Sequence, residues 1–321
     1  VADVVQPGVI STSDPARLDA ALATLELTVR RRLDGLLQGN HLGLVPGPGT
    51  EPGDAKVYNP GDDVRRMDWS VTARTTEPHI RQTVADRELE TWLVADLSAS
   101  LDFGTTGCEK RDLVVAAAAA VGHLTRGGGN RIGAIVATGA GITRIPARGG
   151  RPALQHLLRA LAATPRTGPG DRGDLAVALE QLRRPPRRRG LAVVMSDFIG
   201  PLNWERPLRA LSGRHDLLAV EVLDPRDLEL PDVGLVTLVD PETGRTKEVS
   251  TTAQLRSAFA QAAAEHRAQV DVALRRAGAA HLVLRTDRDW IADVLRFVMG
   301  RKRGWTGAAT SPPVARAGEA W

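Results

Sequence analysis

The stretch WLVADLSASLDFG, Trp92 to Gly104, decides the fold. Four apolar residues, Trp92, Leu93, Val94 and Ala95, run into Asp96, and Ser98 and Ser100 follow at alternate positions. A short apolar run of this kind reads as a strand covered on both faces. Its end places one carboxylate and two hydroxyls close together, which is an unusual way to leave a sheet. A second run, GLAVVMSDF from Gly190 to Phe198, repeats the pattern and ends in Ser196 and Asp197.

Around these two runs strands and helices alternate. A helix is expected over Lys110 to Thr125, a strand over Arg131 to Gly139, and helices from Gly150 and from Asp174. After the second apolar run come a helix over Trp204 to Leu211, a strand over His215 to Pro225 and a hairpin turning at Glu242 to Gly244. A long helix over Ala253 to Ala277, a strand beginning near His281 and a last helix from Asp289 complete the series. Alternation with near-continuous apolar strands predicts a doubly wound, mostly parallel α/β sheet with helices on both faces. In such sheets ligands bind beyond the carboxyl ends of the strands, where Asp96 and Asp197 both fall.

Upstream, a helix should start at Asp14 with Pro15 in its first position. Leu18, Leu22, Leu25, Val29, Leu33 and Leu36 form one apolar stripe on it at helical spacing. The segment Leu44 to Asp54 is rich in Gly and Pro and reads as irregular. His79 to Asp86 and the strand leading to Asp96 are expected to pair as an antiparallel hairpin. Residues 1–85 thus read as an N-terminal helix and extended accessory segment packed on a main domain of residues 86–303, and 304–321 as a disordered tail.

Composition narrows the function classes. The chain has 321 residues, 42% of them hydrophobic, which suits a sizeable core. The longest apolar run, Leu113 to Gly122, is well short of the ~18–20 residues of a membrane span. Val1 to Asp14 carries no basic region followed by an apolar run, so no secretory signal is expected there. The single cysteine, Cys108, forms no internal disulfide, which suits the cytoplasm. Net charge is +4, and the sharpest basic run is Arg183 to Arg189. That run reads as a solvated loop; its alternative is contact with nucleic acid, which few neighbouring aromatics support.

The polar cluster suits a hard divalent cation. Magnesium prefers oxygen ligands at about 2.1 Å and keeps several waters. An Asp-x-Ser-x-Ser turn brings Asp96, Ser98 and Ser100 towards one point, and Asp197 is placed to hold a bound water from the next strand. A vacant position on the ion would accept a partner's carboxylate. The simpler reading is that the serines cap the next helix and Asp96 satisfies backbone N–H groups.

The DLSAS and MSDF pair resembles the metal-ion-dependent adhesion site of von Willebrand factor type A domains. The segment VYNPGDDVRRMDWSVTAR is similar, more specifically, to the bacterial domain of unknown function 58 family. The match lies in Tyr58, Gly61, Asp62, Arg65, Asp68, Trp69, Ala73 and Arg74, and the similarity covers His41 to Arg303. The resemblance implies a type A fold with an N-terminal addition, and pairing with MoxR-type AAA+ ATPases in a chaperone or assembly role. It implies no reaction. Type A domains usually carry a threonine on the second metal loop; here Gly173 stands in its place, with Asp174 the nearest oxygen donor. The cation expected is Mg²⁺, with Mn²⁺ or Ca²⁺ as substitutes.

Other constellations carry less. Arg65, Asp68 and Arg74 are expected to form an ion-pair network. No phosphate-binding G-x-x-x-x-G-K-[ST] loop occurs, so nucleotide hydrolysis is left to a partner. His123 and His156 fall in helical patterns, and no His/Cys pair has zinc-ligand spacing. Ser98 lacks the G-x-S-x-G elbow of a hydrolase nucleophile. The favoured function is therefore a non-enzymatic interaction module in the cytoplasm whose docking face is completed by a cation. A metal-dependent hydrolase using the same site is the alternative.

Overall fold

In a computed structural model of the chain, strand β3 (Glu90–Asp96) is buried along its whole length, and the rest of the fold is arranged on it. The structure describes residues 7, 8, 10, 14–37, 55–58, 67, 69–75, 77–81, 89–125, 129–166, 168, 173–183, 190–241 and 243–308. Before β3 lie α1 (Pro15–Leu37), β1 (Ala55–Val57), α2 (Trp69–Thr75) and β2 (His79–Arg81). After it come α3 (Lys110–Leu124), β4 (Arg131–Thr138), β5 (Gly141–Gly149), α4 (Arg151–Ala162), α5 (Leu175–Arg183) and β6 (Gly190–Ser196). Then follow α6 (Glu205–Leu211), β7 (His215–Leu223), α7 (Pro225–Leu228), the hairpin β8 (Leu235–Val239) and β9 (Thr246–Ser250), α8 (Ala253–Arg276), β10 (Ala279–Arg285) and α9 (Trp290–Ala308).

The main sheet runs β10-β7-β6-β3-β4-β5, parallel except where β5 joins β4. Side chains alternate across a strand, so each strand feeds two cores. Leu93 and Ala95 of β3, with Val193 and Met195 of β6, pack under α1, α3, α4 and α9. Trp92 and Val94, with Ala192 and Val194, pack under α5, α6 and α8. Strand order grows outward in one direction from β3 through β4, then in the other from β6. The β3–β6 boundary is therefore the topological switch point, where crevices form in open α/β sheets. The doubly wound α/β expectation holds, and the N-terminal helix docks as its stripe requires, with Leu25, Val29 and Leu33 buried. Each such side chain contributes roughly 1.5–3 kcal/mol.

Three features differ from the sequence reading. The hairpin of His79 to Asp86 with β3 does not form: β2 pairs with β1, and both edges of β3 are taken by β4 and β6. A strand buried on both faces and paired on both edges has no side left for a hairpin partner. Strand β5 was not anticipated. It is mostly exposed, carries Arg144, Pro146 and Arg148, and sits at the sheet edge, where proline is tolerated. Helix α9 continues through Ala308, past the start of the tail expected at 304, and residues 309–321 lie outside the described residues. Among the described residues no helix is long and apolar enough to cross a membrane.

The register of β3 on β6 is set where they begin. Gly190 faces Glu90, and a Cβ added at Gly190 would lie 1.9 Å from the Glu90 carbonyl oxygen. Backbone cannot retreat there without losing the ladder. Gly190→Ala is expected to lower unfolding free energy by about 1–3 kcal/mol, as overpacking does. A urea midpoint equal to that of the parent chain would contradict this register.

Candidate functional site

The carboxyl ends of β3 and β6 lie side by side, Ala95 opposite Met195, so Asp96 meets the Ser196–Asp197 turn. The Ser196 hydroxyl donates to Asp96 Oδ2 at 2.7 Å, and the Ser98 backbone N–H donates to Asp96 Oδ1 at 3.0 Å. Ser98 Oγ and Ser100 Oγ are 3.3 Å apart. Asp96, Ser98, Ser100 and Asp197 are all buried. The Ser98 side chain also bonds to this carboxylate, whose two oxygens together have about four lone-pair sites. Burial, then the nearby Asp197 charge, push the Asp96 carboxyl above its ordinary value, against the hydrogen bonds from Ser196 and Ser98. A carboxylate penalised by a like charge is a place where a cation is favoured.

The sequence reading missed the group that answers Asp197. Lys110, at the first position of α3, is 1% exposed and its Nζ lies 2.8 Å from Asp197 Oδ2 and 3.1 Å from Asp227 Oδ2. Burial pulls this ammonium down, but Asp197 and Asp227 outweigh it and hold its pKa above the ordinary lysine value. The Asp197 Oδ1 accepts from the Ile199 backbone N–H at 3.1 Å. Both Asp197 oxygens are thus engaged by protein groups. A faint signal was present: a cation in a helix's first turn opposes the macrodipole and calls for carboxylate partners. Nothing in local spacing pointed to Asp227, which lies 117 positions away.

Below the edge, Asp224 ties three loops together. It accepts from the Thr105 backbone N–H (2.8 Å), the Thr105 hydroxyl (2.7 Å), the Thr286 hydroxyl (2.7 Å) and the Arg226 backbone N–H (2.9 Å). Burial pushes its carboxyl up, but these bonds outweigh burial and hold it below the usual carboxylate range.

Gly173 comes onto the cluster. A Cβ there would sit 2.8 Å from Ser98 Cβ and 3.3 Å from Asp96 Oδ1. The Ser98 and Asp96 side chains fill the space a side chain at 173 would need, and glycine offers no side-chain oxygen. Asp174 is exposed, and its Oδ1 accepts from Val177 N–H at 3.0 Å, which makes it a cap of α5. The oxygens that fit a hard divalent cation are those of Asp96, Ser98 and Ser100; among the described residues no group of three or more His, Cys, Asp or Glu could hold one.

The remaining candidates separate cleanly. Cys108 is buried, and burial first, then nearby carboxylates, push its thiol up to about 12, so it carries no thiolate at neutral pH. Arg183 pairs with Glu180 at 2.6 Å, and Arg184 to Arg189 lie outside the described residues. Tyr58 N–H donates to Pro78 O at 2.7 Å, while Gly61, Asp62, Arg65 and Asp68 also lie outside them, and with them most of the Arg65–Asp68–Arg74 network.

The sheet order and the Asp-x-Ser-x-Ser turn at its switch point define a von Willebrand factor type A-like α/β domain. Residues 54–269 match the family described as "Protein of unknown function DUF58", and the chain belongs to that family. It is 64% identical over 291 residues to the uncharacterized protein Rv1480 of Mycobacterium tuberculosis, covering 91% of this chain and 92% of that one. Among solved structures it is similar to the conserved hypothetical protein BatB of Bacteroides thetaiotaomicron (13% identity, TM-score 0.33, 67% of this chain and 99% of that one). It is also similar to a von Willebrand factor type A protein of Catenulispora acidiphila (15% identity, TM-score 0.31, 59% of this chain and 43% of that one).

Two outcomes follow from the ion network. Lys110→Met leaves the buried Asp197 and the half-buried Asp227 without their cation, and is expected to cost about 3–5 kcal/mol in urea unfolding. Adding Asp197→Asn to that variant should restore part of the loss; no restoration would contradict the pairing. Asp224 has a depressed carboxyl, so its contribution is present above the unfolded value of about 3.9 and is lost as pH falls through the folded pKa. Asp224→Asn should therefore be less stable than the parent near neutrality, with the gap closing on acidification. A gap that is constant from about pH 7 to pH 3 would contradict that assignment.

Proposed function

We propose that this chain is a non-enzymatic protein-interaction module that docks through the carboxyl edge of its sheet, with a divalent cation at Asp96, Ser98 and Ser100. The observation that carries this reading is the buried oxygen cluster at the β3–β6 switch point, where Asp96 is pressed by the Asp197 charge. Mg²⁺ fits that oxygen set best, with Mn²⁺ or Ca²⁺ as substitutes. Bound there, the cation would supply a positive centre for a carboxylate of the partner. Asp96 must ionise to take part, and Ser196 and the Ser98 N–H hold its two oxygens in place. Asp197, which shares the single ammonium of Lys110 with Asp227, holds the neighbouring turn and adds to the negative field beside the ion.

With one carboxylate in the direct set, the cation would keep its affinity for an outside acid. The partner proposed is a MoxR-type AAA+ ATPase or its client, in a cytoplasmic chaperone or assembly role. That proposal rests on the family resemblance. Nucleotide chemistry would belong to the partner.

Calorimetric titration with MgCl₂ tests the ion site. The parent chain should bind, and Asp96→Ala should weaken binding by about tenfold or more. Because the Asp96 carboxyl is raised, protons compete with the ion, so affinity should fall on acidification. Capture of the cognate ATPase should be lost in EDTA and in Asp96→Ala. Equal capture in all three conditions would sink the cation-mediated docking, and Mg²⁺-dependent phosphoester turnover would favour a hydrolase instead.

A further inference from the structure

A cleft of about 280 Å³ opens on the far side of Asp197, between the carboxyl ends of β6 and β7 and helix α8. Its apolar wall is Ile199, Leu223, Leu228, Phe259, Ala262 and Ala263. Ile199 is 48% exposed. It follows Phe198, which is held at φ 53°, in the left-handed region that a bulky residue rarely adopts. Four bonds hold that turn: Phe198 N–H donates to Ser196 Oγ at 3.0 Å, Ile199 N–H donates to Asp197 Oδ1 at 3.1 Å, His266 Nε2 on α8 donates to Phe198 O at 3.0 Å, and Lys110 binds Asp197. The fold maintains a strained turn that presents an aliphatic side chain at the mouth of the cleft.

The acids of the cleft are already answered. Asp197 and Asp227 share Lys110, and Glu221 receives His281 Nε2 at 2.9 Å and Arg267 Nη2 at 3.3 Å. Arg226 differs: it is exposed at the rim, and its guanidinium has no ionic partner among the described residues. Among the described residues every acid lining the cleft thus has a basic partner, and Arg226 at the rim has no acidic one. A small polar metabolite would need convergent free donors or acceptors to fix its orientation. Nucleic acid would meet three lining carboxylates. A buried apolar side chain, ringed by polar contacts, is how protein partners anchor.

We infer that this cleft is the anchor pocket for a partner protein, taking one large apolar side chain (leucine, phenylalanine or tryptophan) whose neighbouring Asp or Glu pairs with Arg226. The inference rests on the interaction-module reading and needs no cation. The cleft adjoins the Asp96 edge through Asp197, so one partner segment could engage both.

The test is selection of a phage-displayed random-peptide library on the full chain in EDTA, followed by anisotropy titration of the enriched peptides. Enriched sequences should carry a large apolar residue beside an acidic one. Ala263→Trp, which fills the cleft from α8, should weaken them by about tenfold or more. Arg226→Glu, a surface change, should weaken them and shift preference to basic neighbours; both variants should keep the parent's thermal unfolding. Peptides without this signature, binding unchanged in Ala263→Trp or in Arg226→Glu, or no enrichment (as when a second copy or the chain's own residues fill the cleft) would each overturn the inference. Enrichment in EDTA that depends on the cleft upholds it even where Asp96 proves to bind no Mg²⁺.

Discussion

Everything at the functional edge depends on β3 and β6 running parallel and adjacent at the switch point of the sheet. Parallel pairing carries both strand ends to the same edge, and the Ser196 hydroxyl then reaches Asp96 Oδ2 at 2.7 Å. This single bond joins two loops that lie 100 positions apart. An antiparallel neighbour would have sent Ser196 and Asp197 to the opposite edge. Gly190 makes the approach feasible at the other end of the pair, where a side chain would strike Glu90.

From that junction charges are distributed in a definite pattern. Lys110 places one ammonium between the Asp197 and Asp227 carboxylates from beneath, and Asp224 gathers Thr105, Thr286 and Arg226 into one bonded corner. Asp96 and Asp224 both have hydroxyl and amide donors and no basic side chain among their named partners, but four such bonds hold the Asp224 carboxyl down, whereas burial and the Asp197 charge leave that of Asp96 raised. Removing water from such a group disfavours its charged form unless a positive charge or enough hydrogen bonds offset the loss. The protein supplies one to Asp197 and leaves Asp96 to an outside cation or a proton. The same turn, 196–200, connects the oxygen cluster to the apolar cleft through Phe198 and His266.

Legibility in the sequence followed burial. Strands β3 and β6 and the stripe of α1 were readable because apolar side chains recur at the period of the element that buries them. Asp96 and Asp197 were readable because strand ends in a doubly wound sheet are known places for chemistry. Strand β5 escaped because an exposed edge strand has no apolar signature, and Pro146 argued against it. The false hairpin arose because residues near in sequence were paired, although pairing of a central strand is decided by distant partners. Lys110 escaped for the same reason, since Asp197 and Asp227 come to it through the fold. The close approach of Gly173 to Ser98 and Asp96 is visible in three dimensions alone.

The central claim is that Asp96, Ser98 and Ser100 together form a cation site at the β3–β6 junction. Crystals soaked in MnCl₂ and measured near the manganese absorption edge test it most directly. The account predicts an anomalous peak in contact with all three side chains, absent in Asp96→Ala crystals treated identically. A saturating soak that leaves this position empty, or a peak bound elsewhere on the chain, would contradict it.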